Sequence, residues 1–210
     1  MKLILGSDYS FLEKYGYALT GIPKQEMRIG YITTAGTKAH DPSFLRKRKS
    51  DMRADGYAFE EIDLTGKSLS EMRDFFEEKN IIQMEGGNTF YLLKVIRETG
   101  FGTLLDEFLH AGKIYMGASA GAYIMCPSIE VSDWHDDTWD RFGLTDFTAL
   151  GYIPFVLKAH YTDEMESLVK DKMPSLHFPL RILRDGQGML VENGRISFEG
   201  ERDETVLQSA

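Results

Sequence analysis

Lys113-Ile114-Tyr115-Met116-Gly117-Ala118-Ser119-Ala120-Gly121-Ala122 is the stretch on which the fold turns. Its first half is a short apolar run after the helix-closing Gly112, and it predicts a buried strand over 113–118. The run passes without a break into a serine flanked by small residues, and the apolar stretch Ala122 to Met125, with helical potential, follows it. Gly117-Ala118-Ser119-Ala120-Gly121 therefore has both the pattern and the setting of a nucleophile elbow. The reason is steric: a serine held in a sharp strand-to-helix turn adopts a strained backbone, and only small neighbours let the chain pass on both sides. The helix that follows offers unpaired N–H groups where an oxyanion would form. An ordinary glycine-bounded turn with Ser119 as a helix cap is the plainer alternative.

Working outward, the same strand-then-helix beat repeats. Leu3 to Leu5, Arg28 to Thr34, Tyr57 to Leu64 and Asn80 to Met84 read as strands. Phe11 to Leu19, Pro42 to Asp55, Thr89 to Glu98 and Thr103 to His110 read as helices, the last two with apolar stripes at helical spacing. Ser68 followed by Glu71 has the spacing of a capping box opening a further helix. Strands alternating with helices of this length predict a three-layer α/β/α domain with a mostly parallel sheet, spanning residues 1–210 as one unit. Beyond Ile153 to Leu157, one more expected strand, Asp163 to Met173 reads as helical. Short runs near Ile182, Met189 and Ile196 with Asn193-Gly194 then predict a C-terminal hairpin on the sheet edge.

Composition bounds the function. The chain has 210 residues, 42% hydrophobic and 27% charged, which suits a single folded core burying roughly 70% of the unfolded surface. One cysteine, Cys126, excludes an internal disulfide framework and a Cys-rich zinc site, and favours a reducing compartment. With no spanning-length apolar run and an apolar N-terminal stretch too short for a signal peptide, the expected location is cytoplasmic. A net charge of −9 opposes binding to nucleic acid or to an anionic membrane surface. Arg46-Lys47-Arg48-Lys49, the one basic run, reads as a solvated helix face.

A second glycine cluster, Glu85-Gly86-Gly87-Asn88-Thr89, also lies between an expected strand and an expected helix. In a parallel sheet such loops gather beyond the carboxyl ends of the strands, so this one and the serine turn face one crevice. Gly86 or Gly87 would offer a backbone N–H to an oxyanion, while Asn88 or Thr89 would cap the helix. The cluster lacks the lysine and the spacing of a phosphate-binding loop. As a base for Ser119, His40, His110 and His177 have no distinctive neighbours. His135, among Asp133, Asp136 and Asp137, and His160, at an expected strand end, both suit the role. A metal site built from His135 with Asp133, Asp136, Asp137 and Asp140 is a further reading of the acidic segment, as is a solvated loop.

Gly86-Gly87-Asn88-Thr89-Phe90 with Leu92-Leu93, then Gly117-Ala118-Ser119-Ala120-Gly121-Ala122, Cys126-Pro127, Ala149-Leu150-Gly151 and His160-Tyr161, resemble the dipeptidase E (aspartyl dipeptidase) family of serine peptidases, which also includes cyanophycinases. The resemblance covers most of the chain. It implies a class I glutamine-amidotransferase-like (flavodoxin-like) fold, with Ser119 as nucleophile, His160 as general base, and the backbone N–H groups of Gly87 and Ala120 as oxyanion hole. For the acid it implies a residue of the cluster after the serine, Asp136 first, with Asp133 and Asp137 as alternatives. It implies no cofactor and no metal. The expected partner is a small peptide substrate, with Asn88 as a substrate contact and self-association into a homo-oligomer left open. Cleavage after an N-terminal aspartate would require a local cation, for which Lys158, Arg181 and Arg184 are candidates. A non-catalytic or differently specific amide-binding member of the same fold is the alternative.

Overall fold

The computed structural model describes residues 1–134 and 140–207. Strands β1 (Lys2–Gly6), β2 (Ile29–Ile32), β3 (Phe59–Ile62), β4 (Ile81–Met84), β5 (Ile114–Ala118), β8 (Gly188–Glu192) and β9 (Arg195–Glu199) form a seven-stranded sheet in the order β3-β2-β4-β5-β1-β8-β9. The first five positions are parallel, with Leu5 opposite Gly117 and Met84 opposite Gly117 from the other side. The hairpin β8–β9, turned by Asn193-Gly194, adds antiparallel to the β1 side. This is the mostly parallel α/β sheet with a hairpin on its edge that the alternation of elements predicts.

Side chains alternate across the pleat, so each central strand feeds two cores. Ile4, Ile81, Ile114 and Met116 pack on one face with Tyr9, Phe11, Leu12, Tyr17 and Met52. Those partners come from α1 (Tyr9–Phe11), a π-helical stretch (Leu12–Gly16), α2 (Tyr17–Leu19) and α3 (Ser43–Ala54). Leu3, Leu5, Ile82, Met84 and Tyr115 point the other way, into a larger cluster with α4 (Leu69–Phe76), α5 (Thr89–Thr99), α6 (Phe101–His110) and α7 (Ala120–Tyr123). Helices on both faces make three layers. The Ser68–Glu71 capping box opens α4, with the Ser68 hydroxyl accepting from Glu71 N–H and the Glu71 carboxylate accepting from Ser68 N–H.

Two expectations need correction. The apolar run at 153–157 is strand only as β6 (Val156–Lys158), because Pro154 has no N–H to give a ladder. The run near Ile182 does not belong to the terminal hairpin: as β7 (Leu180–Ile182) it pairs parallel with β6 in a separate two-stranded sheet. Between these two strands lie a 3₁₀ turn (Asp163–Met165) and α8 (Glu166–Lys172). That small sheet delivers the segment after β6 to the carboxyl edge of the main one, where Tyr161 N–H donates to Leu183 O. Among the described residues, no helix is long and apolar enough to cross a membrane.

Candidate active site

The carboxyl ends of β1, β4, β5 and β6 converge on one cavity of about 570 Å³, lined by residues that include Asp8, Arg48, Glu85, Gly87, Ser119 and His160. Ser119 leaves β5 with φ 51° and ψ −114°, a conformation disfavoured for any residue with a side chain. Its N–H donates to Gly6 O, which pins the turn to the neighbouring strand. The flanking glycines are required by close approach: a Cβ on Gly117 would lie 2.4 Å from Gly121 O, and one on Gly121 would lie 2.5 Å from Met84 O. Backbone runs where side chains would stand, and the serine side chain is left in the cavity wall.

His160 follows β6 and also takes a positive φ, 55°. Its Nε2 lies 3.0 Å from Ser119 Oγ. Its Nδ1 lies 2.7 Å from Asp185 Oδ1, in the turn after β7. Serine, imidazole and carboxylate thus stand in line, in contact, in the cavity wall. Ser7, fully buried at the end of β1, supports both distal members: its Oγ accepts from His160 N–H at 2.7 Å and lies 3.0 Å from Asp185 Oδ1 as donor.

Of the residues expected from sequence, Ser119 and His160 are brought together. Asp136, Asp137 and His135 lie outside the described residues. Asp133 is paired with Arg141, and Asp140 accepts from Phe142 N–H, so the described part of the acidic segment is held by its own loop. Among the described residues, no group of three His, Cys, Asp or Glu side chains is placed to hold a metal ion. The carboxylate that the structure sets on His160 is Asp185, which the sequence reading missed. The available signal was Asp185-Gly186, a turn pair one residue beyond the apolar Ile182-Leu183 and hence another strand-end position.

The glycine cluster behaves in part as expected. Gly87 has φ 139°, and a Cβ there would sit 2.3 Å from Ala35 O. Gly86 N–H is taken by Glu85 Oε1 at 2.8 Å, leaving the Gly87 N–H and the Ala120 N–H as the backbone donors beside Ser119 that the described residues do not engage. Asn88, the expected substrate contact, is buried and opens α5. Its Oδ1 caps α5 by accepting from Tyr91 N–H, and its Nδ2 donates to Asp140 O.

The cation candidates are engaged elsewhere. Arg181 pairs with Glu204 and Arg184 with Asp163. Lys158 is fully buried with its Nζ on Ala159 O, and burial pushes its ammonium down to about 8, against the pull of Asp185. The basic run on α3 is not wholly a solvated face: Arg48 turns inward, lines the cavity and pairs with Glu85. Glu85 is buried beneath the glycine loop, accepting from Tyr31 OH, Arg48 and Gly86 N–H, and burial pushes its carboxyl up to about 8. Cys126 is buried with its thiol pushed up to about 12 by desolvation, which removes it as a nucleophile at neutral pH.

An elbow serine with an imidazole and a carboxylate in line, on a parallel α/β sheet, defines the class as a hydrolase of the serine type. The chain belongs to Peptidase family S51, whose sequence signature matches residues 7–199, and it is a peptidase. It is 32% identical over 173 residues to an uncharacterised peptidase of Pasteurella multocida, covering 80% of this chain and 83% of that one. To Peptidase E of Streptomyces coelicolor it is 29% identical over 142 residues, 63% of this chain and 57% of that one. The fold matches the crystal structure of a candidate peptidase E protein from Listeria monocytogenes with a TM-score of 0.81 at 24% identity, covering 96% and 98% of the two chains.

Proposed function

We propose that the chain hydrolyses the amide bond of a small peptide through an acyl-enzyme on Ser119. The observation that carries this reading is the contact series Ser119 Oγ, His160 Nε2, His160 Nδ1, Asp185 Oδ1, with spacings of 3.0 and 2.7 Å at its two hydrogen bonds. In the mechanism, His160 takes the Ser119 hydroxyl proton as Oγ attacks the scissile carbonyl carbon. The carbonyl oxygen gathers charge and is received by the N–H groups of Gly87 and Ala120. Collapse of the tetrahedral intermediate breaks the C–N bond, and the imidazolium gives its proton to the leaving amine. Water then attacks the ester by the same route and restores the serine. Asp185 holds Nδ1–H, fixes the tautomer that leaves Nε2 basic, and stabilises the imidazolium.

The resemblance to aspartyl dipeptidases supports a preference for an N-terminal aspartate. The carboxylates of Asp8 and Asp41 in the cavity wall suit the free amine of a short peptide. The test is hydrolysis of X-leucine dipeptides, with X as aspartate, glutamate, asparagine or alanine, by the wild type and by Ser119→Ala. Asp-Leu is expected to be cleaved best, and Ser119→Ala to lose on the order of 10⁴ to 10⁶ in turnover. Serine-independent cleavage would overturn the mechanism, and no preference for aspartate would overturn the specificity.

A further inference from the structure

The wall of the cavity away from Ser119 carries a second built feature. Phe44, Arg48 and Met52 fall at four-residue intervals on α3 and so share its inward face. Met52 goes into the core, while Phe44 and Arg48 line the cavity. The Arg48 guanidinium lies over Tyr9, 3.9 Å from the ring centroid, with Phe44 at 5.4 Å, so its plane is set by aromatic faces rather than by water. Its side chain is 19% exposed. Among the described residues, every other charged side chain lining this cavity, apart from the two histidines, is a carboxylate: Asp8, Asp41, Glu85 and Asp185.

We propose that Arg48 receives a carboxylate of the substrate, with Glu85 holding the guanidinium ready for it. This rests on the reading of the cavity as the peptide site. A guanidinium has five N–H donors in a rigid fork that matches a carboxylate in two parallel bonds. Among the described residues, its hydrogen-bonding partner is Glu85 alone, through one nitrogen. Glu85 in turn has Tyr31 OH and Gly86 N–H besides Arg48, so it stays hydrogen-bonded when the guanidinium turns toward a ligand. The reach is right for a short substrate. Arg48 and Gly86 N–H share Glu85 Oε1, and a Cβ on Gly86 would lie 3.2 Å from Ser119 Cβ, so the fork and the serine border the same cavity. The carboxylate is either the side chain of an N-terminal aspartate or the C-terminus of the dipeptide.

The experiment is calorimetric binding of Asp-Leu, Asn-Leu and Asp-Leu amide to Ser119→Ala protein, which binds without turnover, and to the same protein carrying Arg48→Met, Arg48→Lys or Glu85→Gln. Asp-Leu is expected to bind at least about ten-fold tighter than its carboxylate-lacking analogue, the scale of one charged hydrogen bond. Loss of the Asp-Leu over Asn-Leu ratio in Arg48→Met assigns the side-chain carboxylate. Loss of the ratio over the amide assigns the C-terminal one. Arg48→Lys, which keeps a charge beside Glu85 if Arg48→Met fails to fold, is expected to lose most of the same ratio because it lacks the fork. Glu85→Gln, which loosens the hold on the guanidinium, is expected to weaken Asp-Leu. Arg48 variants that keep both ratios, or a Glu85→Gln protein that binds Asp-Leu as tightly as its parent, would overturn the proposal. Wild-type turnover measured in parallel separates the two readings. Arg48-dependent binding without cleavage contradicts only the hydrolytic reading, whereas cleavage with an Arg48-independent preference contradicts only this one.

Discussion

Ser7 shows how much of a site can hang on one buried hydroxyl. Its oxygen accepts the His160 N–H and faces Asp185 Oδ1, while its own N–H donates to Gln187 O, so the end of β1 fixes both the imidazole backbone and the loop that carries the carboxylate. It also helps hold His160 at its positive φ. In the proposed mechanism Ser7 is a positioning residue, since it meets no substrate atom. Ser7→Ala is expected to lower kcat by about ten-fold, the scale of one hydrogen bond to a charged group, with KM little changed. Steady-state kinetics on the cleaved dipeptide check this, and a variant with the wild-type kcat would show the hydroxyl to be only a fastener. At this scale Ser119 was readable because its local sequence dictates its geometry. Asp185 and Ser7 were not, because each acts through a partner far along the chain, and no local pattern marks a contact between residues 7, 160 and 185.

At the scale of elements, the strand ends do the positioning. β5 delivers Ser119, β4 delivers Glu85 and the glycine loop, β1 delivers Ser7, and β6 delivers His160. The parallel core strands, α3 to α6 and the terminal hairpin were legible from apolar periodicity, the Ser68–Glu71 cap and the Asn193-Gly194 turn. The second sheet was not, since β6 and β7 are three residues each and too short to show a period. Nor was the inward turn of Arg48, because a run of four cations reads as solvated unless the tertiary neighbours Tyr9 and Glu85 are known. The two loop glycines make an element-level prediction. A Cβ at Gly87 collides with the backbone of Ala35 and Gly36, whereas one at Gly86 meets the Ser119 side chain at 3.2 Å. Gly87→Ala is therefore expected to lower Tm by more than Gly86→Ala and to cut kcat by at least about 10², as loss of an oxyanion donor does. Equal thermal shifts in the two variants would contradict the steric account.

For the molecule as a whole, a three-layer sheet places four strand ends around one cavity and leaves the rest of the surface to charge. Among the described residues, the carboxylates of Asp8, Asp41, Glu85 and Asp185 line that cavity, and Arg48 stands against them. In the proposed mechanism Ser119, His160 and Asp185 act as one unit that activates the serine, whatever peptide is bound. The most direct test is the rate of covalent labelling by a serine-reactive phosphonate, followed by intact mass and peptide mapping. Labelling of the wild type is expected at Ser119, with one probe per chain. It is expected to fall by about 10⁴ in Asp185→Asn, the scale set by the wrong imidazole tautomer in a serine triad, and to vanish in His160→Ala. Wild-type protein that does not label, or Asp185→Asn protein that labels at the wild-type rate, would contradict it.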